Sequence, residues 1–157
     1  MNNFHKFFLE VLKNEGEYTD DPRDRGGETL YGVSRVYHPD EFDLIYRLWK
    51  DGKKNLALDT AEKFYRKEFY NDLYDQLPEK LAFKLFDLSI NLGKGKAVGL
   101  LQKAVGAKQD GIFGPKTLEA CNNVYREFIA EAEAYYKSLD NPVYEKGWLN
   151  RLHRELV

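Results

Sequence analysis

After Pro39 the chain reads as a succession of amphipathic segments opened by prolines or closed by glycines, and only the stretch around residues 28–34 carries a β pattern. This punctuation limits the chain to a mainly α fold with one small β-hairpin. The first helix is expected from the spacing of Phe4, Phe7, Phe8, Val11 and Leu12, with a stop at Asn14–Glu15–Gly16, where Gly16 supplies a left-handed cap. Residues 16–38 are polar and rich in turn formers, and Thr29, Tyr31 and Val33 then alternate as in a strand. A helix is expected from Asp40 to Asp51, closed by Gly52. Asp59 with Glu62 looks like a capping box that opens a helix to about Tyr74. Pro78 to Gly93 and Lys96 to Gly106 bound two more helices. A loop over Gln109–Pro115, a long helix to Leu139 and a short one from Val143 to Glu155 complete the chain.

A chain of 157 residues is one domain or two small lobes, and here two halves joined near Pro78 are expected to pack together. Hydrophobic residues at 43% and charged residues at 32% specify a folded protein. A net charge of −2 offers no basic footprint, so nucleic acid is not an expected partner. The single cysteine, Cys121, cannot form an internal disulfide and is read as a small helix residue. His5, His38 and His153 are too scattered for a zinc site, so no metal or cofactor is expected. Lys6, Glu10 and Lys13 interrupt the apolar runs of the N-terminus, which does not read as a signal peptide, and no run is long enough to insert in a membrane. The expectation is a monomer made in the cytoplasm that needs some other route, such as a holin, to act outside.

Glu15 is the residue with the most suggestive setting. The C-terminal end of a helix is the negative end of its dipole, which favours the protonated form of an acid placed there. Glycoside hydrolysis needs such an acid, with a second polar group across the scissile bond. A glutamate before a glycine at a helix end is also commonly just solvated. Asp20, Asp21 and Asp24 populate turns for local reasons, and their spacing does not match an EF-hand. Taken in order, a helix ending on Glu15, an aspartate-rich loop, the Gly26–Gly27 pair and a β segment bearing Thr29 would flank a cleft.

The stretch Glu15–Gly16–Glu17–Tyr18–Thr19–Asp20–Asp21–Pro22–Arg23–Asp24–Arg25–Gly26–Gly27–Glu28–Thr29–Leu30–Tyr31–Gly32–Val33–Ser34–Arg35 closely resembles glycoside hydrolase family 108. That family comprises N-acetylmuramidases, including phage endolysins and proteins described as secretion activators. Its pattern opens with Glu–Gly–Gly and continues through an aspartate-rich loop to Gly–Gly–x–Thr–x–x–Gly–Ile. One departure is Glu17, which stands where the family usually has a second glycine. Phe86–Gly93, Ala97, Leu100–Gln102 and Asp110–Thr117 resemble the peptidoglycan-binding region that accompanies the family. The resemblance covers roughly residues 4–120.

The resemblance implies a lysozyme-like fold, with a catalytic lobe over residues 1–78 and a helical peptidoglycan-binding-like lobe over 79–157. It implies hydrolysis of the β-1,4 bond from N-acetylmuramic acid to N-acetylglucosamine in bacterial cell walls. The implied catalytic group is Glu15, Asp24 and Thr29, with Asp20 and Asp21 as competitors for the second carboxylate. A carboxyl separation of roughly 6.5–9.5 Å would indicate inversion, and one near 5 Å retention. Tyr31 and Asn91 are candidate sugar-binding residues, each with a core or capping role as the alternative. Lys84, Lys94 and Lys96 are expected on a solvated helix face, with pairing to muramyl peptide carboxylates as the alternative. A non-catalytic wall-binding module and a secretion or lysis accessory are the competing functions, and loss of wall turbidity or release of reducing ends separates them from a muramidase.

Overall fold

The computed structural model describes residues 3–24 and 26–156, and Arg25 of the loop motif lies outside them. The chain divides into two compact units, one ending at Glu68 and one beginning at Phe69. The fold is mainly α with a small antiparallel sheet, as the pattern predicts.

In the N-terminal unit, helix α1 (Phe4–Glu15) buries Phe4, Phe7, Phe8 and Val11, the i, i+3, i+4, i+7 stripe of an amphipathic helix. Each such fully buried side chain contributes about 1.5–3 kcal/mol. Gly16 ends the helix, and its amide donates to Leu12 O at 3.0 Å. Its φ of 74° and ψ of −170° are not the left-handed helical cap expected; they lie in a region open essentially to glycine alone.

The sheet is larger than the expected hairpin. Strands β1 (Tyr18–Asp20), β2 (Glu28–Leu30) and β3 (Val33–Ser34) form it in the order β1-β2-β3. Tyr18–Asp20 escapes sequence reading because all three residues are exposed and no alternation marks them. Tyr31 is not a strand residue: Tyr31 and Gly32 are the two-residue loop of the β2–β3 hairpin, with φ of 50° and 79°. A tight hairpin of the favoured twist requires positive φ at both loop positions.

Helix α2 (Pro39–Lys50) buries Phe42 and Ile45. Helix α3 (Lys54–Phe69) starts well before the expected box at Asp59. The earlier start brings Ala57 onto the same buried face as Ala61, Phe64 and Tyr65, and that packing outweighs the capping preference of Asp59. The helix also stops short of Tyr74.

In the C-terminal unit, Asn71 caps a short 3-10 helix (Asp72–Gln76) by accepting from Leu73 N at 2.9 Å. Helix α4 (Glu79–Leu92) is buried at every position from Leu81 to Ser89, which marks it as the central element of this unit. Helices α5 (Lys94–Val105), α6 (Pro115–Ala120), α7 (Tyr125–Ser138) and α8 (Pro142–Leu152) follow. The long helix expected from Pro115 to Leu139 is broken, because Cys121 is extended and Asn123 has φ of 54°. Cys121 therefore ends a helix rather than sitting within one. Its thiol is half-buried, and burial pushes it up to about 11.

Lys84 is buried, not solvated. Its Nζ donates to the carbonyls of Arg154 at 2.8 Å and Arg151 at 3.4 Å, where α8 ends and a cation is favoured. Burial holds its pKa below the ordinary lysine value. Asp87, also buried, accepts from Arg151 Nε at 3.1 Å and Nη2 at 2.9 Å.

Candidate active site

Glu15 is the last residue of α1 and is half-buried. Its side-chain stem lies against the hairpin loop. A Cβ at Gly32 would come within 3.1 Å of Glu15 Cβ, 3.2 Å of Glu15 Cγ and 2.1 Å of Tyr65 Oη. Glycine at position 32 is thus required twice, for its positive φ and for the absence of a side chain between Glu15 and Tyr65.

The loop that presents Gly32 is held from both sides. Tyr31 N donates to Glu17 O at 2.6 Å, and Tyr65 Oη donates to Tyr31 O at 2.8 Å. A left-handed tyrosine costs about 1–2 kcal/mol. Two hydrogen bonds and burial of its ring, 8% exposed, offset that cost. Tyr31 therefore fixes the hairpin loop through its backbone.

Glu17 continues the same arrangement. Its Oε1 accepts from Trp49 Nε1 at 2.9 Å, with Lys54 Nζ at 3.5 Å and Tyr31 Oη at 3.5 Å. The indole N–H, then Lys54 and Tyr31, hold its carboxyl below the ordinary glutamate range. The residue that departs from the family's glycine is thus a carboxylate anchored two positions after Glu15.

Thr29 sits opposite Thr19 in the β1–β2 pairing, and their hydroxyls are 2.6 Å apart. Asp24 is exposed in the loop before β2, where its Oδ1 accepts from Gly26 N at 3.0 Å. The point a Gly26 Cβ would occupy lies 3.5 Å from Asp24 Oδ1 and 3.9 Å from Thr29 Cγ2, so Asp24 and Thr29 flank the same glycine. Ser34 Oγ donates to Gly26 O at 2.6 Å and ties this loop to β3. Asp21 is engaged by Arg23, whose Nε lies at 3.1 Å and whose side chain and backbone N–H hold the carboxyl below its ordinary range. Asp20, on β1, is exposed and paired in register with Glu28.

The family pattern for glycosyl hydrolase 108 matches residues 8–93, more than half of the chain. The chain belongs to the glycosyl hydrolase 108 family. It is also similar to the solved structure of Brucella abortus SagA, at 30% identity and a TM-score of 0.75, over 96% of this chain and 89% of that one. No match is found among curated proteins. The matched span contains Glu15, Asp24, Thr29, Tyr31 and Asn91.

In this glycosyl hydrolase 108 chain, Asn91 belongs to the C-terminal unit, near the end of α4. It is exposed, and its Nδ2 donates to Tyr136 Oη at 2.7 Å, which ties α4 to α7. The Asp110–Thr117 signature has a structural explanation. The buried Gln102 donates from Nε2 to Asp110 Oδ1 at 2.9 Å, Ile112 O at 3.0 Å and Thr117 Oγ1 at 3.1 Å, while its Oε1 accepts from Gly111 N at 3.0 Å. Four hydrogen bonds to one amide fix the loop and leave Ile112 69% exposed. Among the described residues no group of three or more His, Cys, Asp or Glu is placed to hold a metal, and no helix is long and apolar enough to cross a membrane.

Sequence reading missed Gly32, Tyr65, Thr19 and Trp49. Tyr65 reaches the site from 34 residues beyond Tyr31, and no local signal carries that contact. Thr19 would have been found had β1 been recognised.

Proposed function

We propose that this chain is an N-acetylmuramidase that hydrolyses the β-1,4 bond between N-acetylmuramic acid and N-acetylglucosamine in bacterial peptidoglycan. Glu15 acts as the general acid and protonates the leaving glycosidic oxygen as the bond to the anomeric carbon breaks. Asp24 stabilises the positive charge that develops on the sugar ring or activates the water that attacks it. Thr29 holds that water. The observation that carries the reading is the clamping of Glu15, at the C-terminal end of α1, onto a side-chain-free Gly32 in a chain of a glycosyl hydrolase family. A catalytic acid must be held in place while remaining half-open to substrate, and packing of the Glu15 stem against Gly32 supports that role.

The adjacency of Asp24 and Thr29 to Gly26 supports their grouping. Asn91 keeps its amide oxygen for a saccharide donor, and Tyr31 serves chiefly to set the loop. The C-terminal unit is the wall-binding part in this reading, with the rigid Gln102 loop presenting Ile112. The biological role that fits is lysis of the cell wall by an endolysin.

Mass spectrometry of digested peptidoglycan tests this directly. Wild type is expected to release fragments with reducing N-acetylmuramic acid ends, and Glu15→Gln to release none while keeping its far-ultraviolet circular dichroism. Intact walls with wild type, or clearing that survives Glu15→Gln, overturns the reading.

A further inference from the structure

Beside Glu17 the N-terminal unit carries an aromatic cluster that the hydrolytic reading does not use. Tyr18 on β1 stacks on Trp49 of α2, with ring centroids 5.4 Å apart and planes 14° apart. Tyr46 touches both, at 6.4 Å from Tyr18 and 6.0 Å from Trp49. Tyr18 is 38% exposed, and Tyr46 and Trp49 are half-buried. Polar tips fix the rings: Tyr18 Oη donates to Glu28 Oε2 at 2.5 Å, and the Trp49 indole donates to Glu17. Ordered rings at an exposed surface bind with little loss of side-chain freedom.

Cations crown the cluster. Lys50 Nζ lies 5.4 Å from the Tyr46 centroid and 5.7 Å from that of Trp49, and Lys54 Nζ lies 5.9 Å from Trp49. Glu28, the acid that acts electrostatically on Lys50, is already engaged by Tyr18 and Arg35. Lys54 Nζ also lies 3.5 Å from Glu17 Oε1, and cations gathered over these half-buried rings, beside the exposed Tyr18, match a ligand with an apolar ring face and a carboxylate.

We propose that Tyr18, Tyr46 and Trp49, with Lys50 and Lys54 above them, form a saccharide subsite that stacks a pyranose face and pairs its acidic substituent, giving preference for a carboxylate-bearing amino sugar over its neutral counterpart. The subsite begins three residues after Glu15 and rests on the muramidase reading for its place along the substrate. The lactyl carboxylate of a muramyl residue is the substituent it fits.

The test uses the full chain with Glu15→Gln, which blocks turnover, and Trp148→Phe, which leaves Trp49 as the only tryptophan. Trp49 fluorescence is titrated with a muramyl-containing glycan oligomer and with a chitin oligomer of equal length. The glycan is expected to shift the emission and to bind about tenfold more tightly than the chitin oligomer. Lys50→Ala with Lys54→Ala should abolish that preference while lowering the melting temperature only slightly, because the Lys54–Glu17 pair is exposed. Trp49→Ala, followed by calorimetry, should weaken both ligands. Emission unmoved by either oligomer, equal affinity for the two, or a preference that survives removal of both lysines overturns the proposal. Binding without cleavage by the Glu15-intact chain would sink the muramidase reading and leave the subsite standing; cleavage with no Trp49 response would do the reverse.

Discussion

Gly32 and Glu15 are fitted to each other by the side chain that Gly32 lacks. A Cβ there would stand 3.1 Å from Glu15 Cβ and 2.1 Å from Tyr65 Oη. Tyr65 is buried and hydrogen-bonded to Tyr31 O, so it has no free path away. Gly32→Ala is therefore expected to cost about 2–4 kcal/mol, from overpacking and a strained φ together. It should lower activity more than the loss of folded protein explains, because Glu15 moves with the loop. Tyr65→Phe in the same chain removes the clashing oxygen. A double-mutant cycle read by urea unfolding should show the pair less destabilised than the sum of the single changes.

Glu17 makes stability depend on pH in a defined direction. Its carboxyl is held below the ordinary 4.5, first by the Trp49 indole N–H. A carboxyl depressed in the folded state contributes stability that is present above the ordinary value and is lost as pH falls through the folded value. Glu17→Gln removes the charge at every pH. The stability gap between wild type and Glu17→Gln should therefore be open at neutral pH and close as pH drops below 4.5. The side chain is 49% exposed, so solvent screening keeps the gap under about 1 kcal/mol. Urea midpoints across a pH series would show it, and a gap that widens on acidification would contradict it.

Helices α1, α4 and α5 were legible because each buries an apolar stripe and ends on glycine. The place of Glu15 at the helix end was legible for the same reason, since Gly16 marks that end. The misread elements lie where tertiary contacts overrule local preference. Asp59 has capping chemistry, but burial of Ala57 moves the helix start upstream. Lys84 has a surface composition, yet it satisfies carbonyls at the end of α8 that come 67 and 70 residues later. The support of Glu15 was hidden likewise. Gly32 reads as a turn glycine, and only the fold shows that Glu15 and Tyr65 meet against it.

Gln102 offers a test of whether the Asp110–Thr117 signature is architectural. Its Nε2 faces the oxygens of Asp110, Ile112 and Thr117, the first two acceptors only. Gln102→Glu replaces that donor with an acceptor beside a carboxylate, in a residue 1% exposed. The variant is expected to lose about 2–4 kcal/mol at neutral pH, as buried partners go unsatisfied and two acids repel. The loss should shrink on acidification, because a protonated carboxyl regains a donor. Gln102→Leu, which leaves the same groups unpaired but adds no charge, should lack that recovery. Thermal melts of the three proteins across pH distinguish these outcomes.

Thr29 separates a catalytic hydroxyl from a structural one. Its Oγ1 lies 2.6 Å from Thr19 Oγ1, so one hydroxyl donates and the other accepts. That leaves Thr29 a hydrogen-bonding position with which to orient a water. Thr29→Val keeps the shape and removes the hydroxyl. Thr19 is exposed and can turn to solvent, so the stability cost should stay below about 1 kcal/mol. If Thr29 orients the attacking water, kcat on peptidoglycan should fall about a hundredfold in Thr29→Val, with KM little changed. Thr29→Ser should retain most of the rate. Thr19→Val leaves the Thr29 hydroxyl in place but untethered, so its loss should be several-fold smaller than that of Thr29→Val. Equal losses from Thr19→Val and Thr29→Val would reduce the pair to a cross-strand contact and leave Glu15 to work with a carboxylate alone.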